Sequence, residues 1–347
     1  MVKLAVDAMG GDHAPQEIVR GAVAALQARK DLKLLLVGRR DQVEEALSGL
    51  TYPPGQLSLI HADEVIGGSD NPGLAIRRKR KSSMVTALQL VRSGRADAVL
   101  SAGNTGALMA GALLFLGRLP KVDRPALLTV MPGFTGAPFV VLDVGANMDA
   151  RPEQLVQYAF MGRIYAQKLL NCHSPRVALL NVGTELNKGN SQVKKAFSLI
   201  QEYVPGFCGN IEGTDLFFNA ADVVVCDGFV GNILLKISEG LARGIMGQLK
   251  KELTLTLRSR AGAVLLRPAL ERLRDQIDDT EYGGAPLVGV KGLCIKCHGS
   301  SQAKSIERAI LQQVYPFVQL RLEDLFQEAL CEVPRRLKGE ELTGEEM

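Results

Sequence analysis

The chain has 347 residues, of which 46% are hydrophobic and 5% aromatic, with no Trp and a net charge of +4. That length suits roughly two domains of ordinary size or one large α/β unit. The mild charge argues against a dedicated nucleic-acid binder, which shows a clustered basic face, and no apolar run reaches the roughly 18 residues of a membrane span. Small aliphatic residues and 36 Gly suit parallel sheets covered by helices. The opening Lys3–Asp7 reads as a strand rather than a secretion signal, so the chain is expected in the cytoplasm. Six scattered Cys agree with reduced thiols.

Strand and helix patterns alternate from the start. Leu4–Ala8 reads as a strand, followed by a Gly10–Gly11–Asp12 loop and a helix opened by Pro15. Leu34–Val37 and Leu57–Ile60 are strands around a helix from Asp41. Gly67–Gly73 is a loop with strong turn chemistry, and Ser82–Ser83 cap a helix over Met84–Arg92. Val99–Leu100 is a strand that breaks at Gly103 and resumes as a small-residue helix, Ala107–Leu116. Leu127–Met131 and Phe139–Asp143 are strands whose short link, Pro132–Pro138, allows antiparallel pairing, so the sheet is expected to be mixed. Pro152 opens a helix to about Leu170, Arg176–Leu180 is a strand, and a helix begins at Gln192. Val223–Asp227 is a strand that opens a helix through Gly228–Asn232. Val288–Cys297 reads as one strand-like run, ending in His298–Ser301 before a last helix.

Polar residues and glycines thus follow at least five strands. In open α/β sheets ligands bind beyond the carboxyl ends of strands, so these loops are expected to converge on one cleft. Gly103 and Gly106, lacking Cβ atoms, let backbone N–H groups approach an anion, and Asn104 and Thr105 add polar side chains. The same two residues serve equally well as caps of the following helix. Asp7 and Asp143 stand where they would orient loop amides. Lys188 sits in a Lys-Gly-Asn turn. Lys296 lies inside an apolar strand, where a lysine needs an anionic partner, and His298 follows it. No nucleophile elbow, Walker loop, His-Glu-x-x-His or Gly-x-Gly-x-x-Gly is present. Amides, hydroxyls, lysines and one histidine suit polarising an oxyanion rather than covalent catalysis.

Cys294–Ile–Lys–Cys–His298 matches the pattern of c-type haem attachment. In a strand, however, residues three apart point to opposite faces, so the two thiols cannot reach one ligand. The run Arg77–Arg78–Lys79–Arg80–Lys81 reads first as a solvated face and second as a docking patch for an acidic partner.

In their joint order these pieces resemble one family, the bacterial phosphate acyltransferases of phospholipid synthesis. The matching pieces are Asp7–Asp12, Arg77–Lys79 with Ser82–Met84, Ser101–Met109, Arg124–Leu127 and Leu142–Asn147. Leu180–Glu185 with Lys188–Asn190, Asp227–Phe229 with Gly231–Asn232, Tyr282–Ala285 and Ile295–Ser301 complete them. The resemblance implies a three-layer α/β/α fold with a mixed sheet, like the isocitrate and isopropylmalate dehydrogenases. It implies one domain over 1–335 and a helical hairpin protruding at about 240–280; the tail over 336–347, polar and acidic from Lys338 on, is expected to be disordered. It also implies a homodimer that uses no metal, nucleotide or other cofactor. The implied reaction moves a fatty acyl group from acyl-acyl carrier protein to inorganic phosphate. The acyl phosphate then serves a membrane glycerol-3-phosphate acyltransferase.

On that reading Lys188, Lys296 and His298 are the candidate catalytic residues. Asp7, Gly103, Asn104, Thr105, Gly106, Asn147 and Asn232 are the candidate substrate contacts. Arg77, Arg78, Lys79 and Arg80 are the candidate carrier-protein patch. Leu253–Leu270 carries only basic charges among leucines, and Pro268 is expected to end or kink its helix before a second, Ala269–Ile277. Leu257, Val264, Leu265 and Leu266 are therefore candidates for contact with the inner face of an anionic membrane, or else for packing across a dimer. Two other classes remain open from residues alone: an NAD-dependent dehydrogenase on the same fold, and a non-enzymatic module that binds lipid or carrier protein.

Overall fold

Short apolar runs form the strands, and amphipathic runs between them form the helices. The computed structural model describes residues 1–134, 137–277 and 283–333. Tyr282, part of the 132–138 link and the tail 336–347 lie outside the described residues. In chain order the first part gives β1 (Val2–Asp7), α1 (Gln16–Ala28), β2 (Leu32–Gly38), α2 (Arg40–Leu47), β3 (Leu57–His61), α3 (Pro72–Arg78), α4 (Ser83–Arg92), β4 (Ala98–Ser101) and α5 (Thr105–Gly111). A π-helical segment, Ala112–Leu116, continues α5. The middle gives β5 (Ala126–Met131), β6 (Phe139–Leu142), α6 (Pro152–Leu169), β7 (Val177–Leu180), α7 (Ser191–Tyr203), β8 (Phe207–Ile211) and β9 (Val223–Val225). The last part gives α8 (Gly228–Thr254), α9 (Leu257–Ile277), β10 (Ala285–Val288), β11 (Leu293–Lys296), α10 (Ala303–Arg308), α11 (Tyr315–Gln319) and α12 (Leu322–Cys331).

The strands form one eleven-stranded mixed sheet in the order β3-β2-β1-β4-β11-β10-β5-β6-β9-β7-β8. β3, β2, β1, β4 and β11 run parallel. β10 reverses against both β11 and β5, and β6 reverses against β5. β6, β9, β7 and β8 are parallel to one another and opposite to the first group. Residues alternate between the two faces along each strand. Leu4 and Val6 join the core under α1, α6, α7 and α10–α12, whereas Ala5 joins the core under α3–α5 and the start of α8. The result is three layers, helices–sheet–helices.

Three expectations need correction. First, the reversal inside the sheet sends the loops after β1, β4 and β11 out of one edge and those after β6, β7 and β9 out of the other. The polar loops therefore do not all meet at one edge. Second, the run 288–297 is not one strand but the hairpin β10–β11, turned by Gly289 (φ 92°) and Gly292 (φ 79°). Third, the break in the long helical stretch falls at Leu255–Thr256, and α9 continues through Pro268. The Thr256 and Ser259 side chains receive each other's backbone N–H (Ser259 N to Thr256 Oγ1 3.1 Å, Thr256 N to Ser259 Oγ 3.0 Å), a reciprocal cap that starts α9. Pro268 and Val264, whose carbonyl loses its partner, are both exposed, so water can take the bond. Among the described residues no helix is long and apolar enough to cross a membrane.

The second half of the sheet is anchored by Asp143, which follows β6 and is fully buried. Its carboxylate accepts the N–H groups of Leu127 (2.8 Å), Gly145 (3.1 Å), Ala146 (2.9 Å) and Asn147 (2.6 Å). Burial pushes its pKa up to about 6 against the pull of those donors. Replacing Asp143 by Ala leaves several buried donors unpaired at about 1–3 kcal/mol each. The variant is expected to lose at least about 3 kcal/mol of unfolding free energy by the same reckoning, read by denaturant titration.

Candidate active site

The first half of the site is organised by a second buried carboxylate. Asp7 ends β1 and Ser101 ends the neighbouring β4, in register with it. The Ser101 hydroxyl donates to Asp7 Oδ2 at 2.6 Å and accepts the Gly103 N–H at 3.0 Å. The Met9 N–H donates to Asp7 Oδ1 at 3.3 Å. Burial raises the Asp7 pKa, while the Ser101 and Ser83 hydroxyls oppose the rise. The glycine loop is thus strapped down, and its glycines let it pack closely. A Cβ on Gly103 would stand 2.9 Å from the Met84 methyl, and one on Gly106 would stand 2.8 Å from Pro72.

This packing changes the reading of two predicted contacts. The Gly103 N–H is spent on Ser101. Asn104 caps α5 through Ala107 N (3.0 Å), and its amide donates to the carbonyls of Gly68 (3.1 Å) and Asp70 (3.3 Å). Asn104 therefore clamps the 67–70 loop. The N–H groups of Thr105 and Gly106, in the first turn of α5, have no carbonyl one turn back to bond within the helix.

α8 carries the site across the sheet. It begins at the Asp143 loop, where Gly228 N donates to the Asn147 carbonyl at 2.9 Å. A Cβ on Gly231 would fall 1.9 Å from the Asp143 carbonyl oxygen, so only Gly admits the helix there. Asn232 lies over Gly145, 3.7 Å from where a Cβ would stand. One turn on, Lys236 lies close enough for its charge to bear on Lys296 at the end of β11.

Lys296 is half-buried, and its ammonium donates to the Cys297 carbonyl. Burial above all, and also the positive Lys236, lower its pKa. Asp7 and Asp12 pull the other way from a distance, and no carboxylate forms an ion pair with it among the described residues. His298 is exposed, and its Nδ1 accepts the Ser300 N–H at 3.2 Å. That bond leaves the proton of a neutral ring on Nε2, the outward nitrogen. His298 lines an open groove of about 620 Å³ with Lys236, Glu239, Gly240, Arg243 and Gly244 of α8. The groove can hold an anion and donate a proton.

The family described as "Fatty acid synthesis protein" matches residues 2–319. The phosphate acyltransferase of Moorella thermoacetica is 51% identical over 309 residues, covering 89% of this chain and 90% of that protein. The chain belongs to the phosphate acyltransferase family. That of Thermoanaerobacter pseudethanolicus is 49% identical over 311 residues, 90% of this chain and 92% of its own. Among solved structures, a phosphotransacetylase from Streptococcus pyogenes shares the fold at 16% identity, with a TM-score of 0.59 over 95% of this chain and 94% of its own. A branched-chain phosphotransacylase from Enterococcus faecalis does so at 17%, with a TM-score of 0.56 over 91% and 99%.

In this acyltransferase the predicted residues separate. Lys296 and His298 come together with Lys236, which sequence reading missed. The signal for Lys236 was its place four residues after Asn232, on the same helix face. No contact joins Lys188 to them. It is exposed on the loop after β7, five strands from β11, or about 24 Å at ordinary strand spacing, and beyond the opposite sheet edge. The Asn147 amide donates to Gln154 (2.9 Å) and Tyr158 (3.1 Å) of α6, which makes it a brace. Lys79, half-buried, is tied to Asp70 (2.5 Å) and the Val65 carbonyl (3.0 Å), which sets it apart from the exposed Arg77, Arg78 and Arg80. Leu257, Val264, Leu265 and Leu266 are all exposed on α9. Cys294 and Cys297 lie in opposite core layers, their thiols pushed up to about 12 by burial, so they share no ligand.

The Lys236–Lys296 repulsion predicts a pH effect. Removing the Lys236 charge favours protonated Lys296 and raises its pKa. In Lys236→Gln the alkaline limb of the pH–rate profile for acyl transfer is expected at higher pH than in the wild type. A limb at the same pH or lower separates the two lysines.

Proposed function

We propose that this acyltransferase moves a long-chain fatty acyl group from acyl-acyl carrier protein to inorganic phosphate, forming acyl phosphate for phospholipid synthesis. The observation that carries the reading is Lys296: a half-buried lysine at a strand end, in the positive field of a second lysine, with no carboxylate paired to it among the described residues. A desolvated ammonium without a carboxylate partner attracts an anion, and Lys236, itself held by Glu239 at 2.8 Å, adds to the positive field there. Phosphate is already a nucleophile near neutral pH. One of its oxygens attacks the thioester carbonyl, the C–S bond breaks, and the phosphate's proton passes to the departing thiolate. Thiols have a pKa near 8.5, so the sulfur leaves readily. In this scheme Lys296 and Lys236 hold the phosphate, and the Nε2–H of His298 polarises the carbonyl, or His298 gives that proton to sulfur and takes the phosphate's proton in its place.

Partners follow from the surface. Arg77, Arg78 and Arg80 sit on or just after α3, whose Pro72 presses on the glycine loop. They offer an acidic carrier protein a landing place beside the site. Exposed Ile233, Ile237, Leu241 and Ile245 recur along one side of α8, which supports a homodimer packed through this helix. The exposed leucines of α9 among Arg258, Arg260 and Arg267 support peripheral contact with an anionic membrane, where an embedded glycerol-3-phosphate acyltransferase would consume the product. We read 1–335 as one domain of the isocitrate and isopropylmalate dehydrogenase type, since its sheet is continuous.

The test mixes the purified chain with palmitoyl-acyl carrier protein and inorganic phosphate. Free carrier protein and acyl phosphate are expected in equal amounts. Lys296→Ala is expected to lower kcat/KM for phosphate by about 100-fold, the scale of losing one charge-stabilising donor. Thioester loss that does not depend on phosphate would contradict the reading.

A further inference from the structure

β5 is a central strand of the sheet, yet one of its inward residues is not covered. Leu127, Thr129 and Met131 share the face under α3–α5 and the start of α8. Leu127 and Met131 are buried, but Thr129 between them is only half-buried. Its neighbour on that face is half-buried too. Leu287 pairs with Leu127, so the same register carried two residues on sets Ala285 beside Thr129. Ala285 in turn pairs with Lys296, which shares the face of Cys294. Lys296, Ala285 and Thr129 thus form one row across one face of the sheet, and the helices above leave that row partly open.

The row leads to a group of aromatic rings. Thr129 pairs with Val141, and Met131 with Phe139. The Phe139 ring meets Phe217 edge-on (centroids 5.8 Å), Phe217 stacks on Phe134 (5.4 Å), and Phe218 meets Phe134 edge-on (6.4 Å). Phe134 belongs to the β5–β6 link, and Phe217 and Phe218 to a 3₁₀ turn before β9. The Phe134 N–H ties the two segments together by donating to the Phe217 carbonyl at 2.9 Å. Phe139 closes the core here, whereas Phe134 and Phe218 are 56% and 62% exposed. Closing the core does not require those two rings. Large apolar side chains grouped in water mark a binding surface. Three strand steps separate Lys296 from Phe139, about 14 Å.

We infer that the fatty acyl chain of the donor lies along this row, from its thioester at Lys296 and His298, over Ala285 and Thr129, to the rings of Phe134 and Phe218. The inference rests on the proposed reaction. The occupant follows from what the row joins: a cation without a paired carboxylate at one end and exposed rings at the other, with only small side chains between. A thioester with a long hydrocarbon tail has that order of groups. The sides agree as well. Arg77, Arg78 and Arg80 lie toward β4 from Lys296, and the rings lie toward β6, so a carrier protein docked on the arginines leaves the tail pointing at the rings. An extended palmitoyl chain is long enough to reach them and an octanoyl chain is not. Phe134 and Phe218 are thus specificity residues for chain length and do not touch the reacting atoms.

The test compares palmitoyl- and octanoyl-acyl carrier protein with inorganic phosphate as acceptor. Both donors carry the same protein, so its docking cancels in the ratio of their kcat/KM values. The wild type is expected to prefer palmitoyl. In the double variant Phe134→Ala, Phe218→Ala the ratio is expected to fall about tenfold, the scale on which a hydrophobic contact discriminates substrates. Phe134→Leu with Phe218→Leu is expected to restore part of it. Both rings are mostly exposed, so the variants keep the fold, and circular dichroism checks this. An unchanged ratio in the alanine variant overturns the inference while leaving the proposed reaction standing. So does a wild type that uses both donors equally. An unchanged ratio with a dimer that dissociates on a sizing column would give the rings to a second copy of this chain. An unchanged ratio with lost sedimentation on anionic liposomes would give them to a membrane. A wild type that makes no acyl phosphate from either donor would overturn the reaction and the inference together.

Discussion

The arrangement depends on how closely α8 meets the loop after β6. Gly231 rests on the Asp143 carbonyl where no side chain fits. Asp143 in turn gathers four backbone N–H groups from β5 and its own loop. That contact fixes the origin and direction of a 27-residue helix. Lys236 is thereby brought within electrostatic reach of Lys296 at the end of β11, although β11 and β6 run in opposite directions. A sheet with reversed halves cannot bring all its strand ends to one edge, and a helix crossing between the halves solves that problem. Asp7 does the matching work in the first half, where Ser101 and Gly103 lock the glycine loop beside β11.

Buried charge is costly, and both halves of the site use it. Asp7 and Asp143 are each satisfied by several donors, so they stiffen loops at a tolerable cost. Lys296 is treated differently. It is partly desolvated, set against another lysine and bonded to a carbonyl, with Asp7 and Asp12 acting only from a distance and no carboxylate paired to it among the described residues. A protein selected for stability alone would pair it with a carboxylate. Leaving it unpaired keeps a position attractive to an anion, which is the ordinary exchange of stability for binding.

Much of this was legible in the sequence where local chemistry speaks for itself. Glycine beside Asn, Thr or Asp marked the strand ends, and a lysine in an apolar strand marked Lys296. Ser82, Asn104 and Asp227 cap helices as their types suggest. What was not legible depends on partners distant in sequence. The sheet reversal is set by which strands pair, and no single strand records that. β8 escaped because Gly209, at φ 108°, and a register shift in its pairing with β7 break the apolar pattern. Lys236 looks like any lysine on an amphipathic helix until the fold sets it opposite Lys296. Lys79 looked like part of a docking patch until Asp70 claimed it.

The central claim is that phosphate binds where α8 meets β11. The most direct measurement is lysine-reactive footprinting read by mass spectrometry, with and without inorganic phosphate. Phosphate is expected to slow the labelling of Lys236 and Lys296 together and to leave Lys188 unchanged. Protection of Lys188, with Lys236 and Lys296 labelled at the same rate in both conditions, would contradict the account.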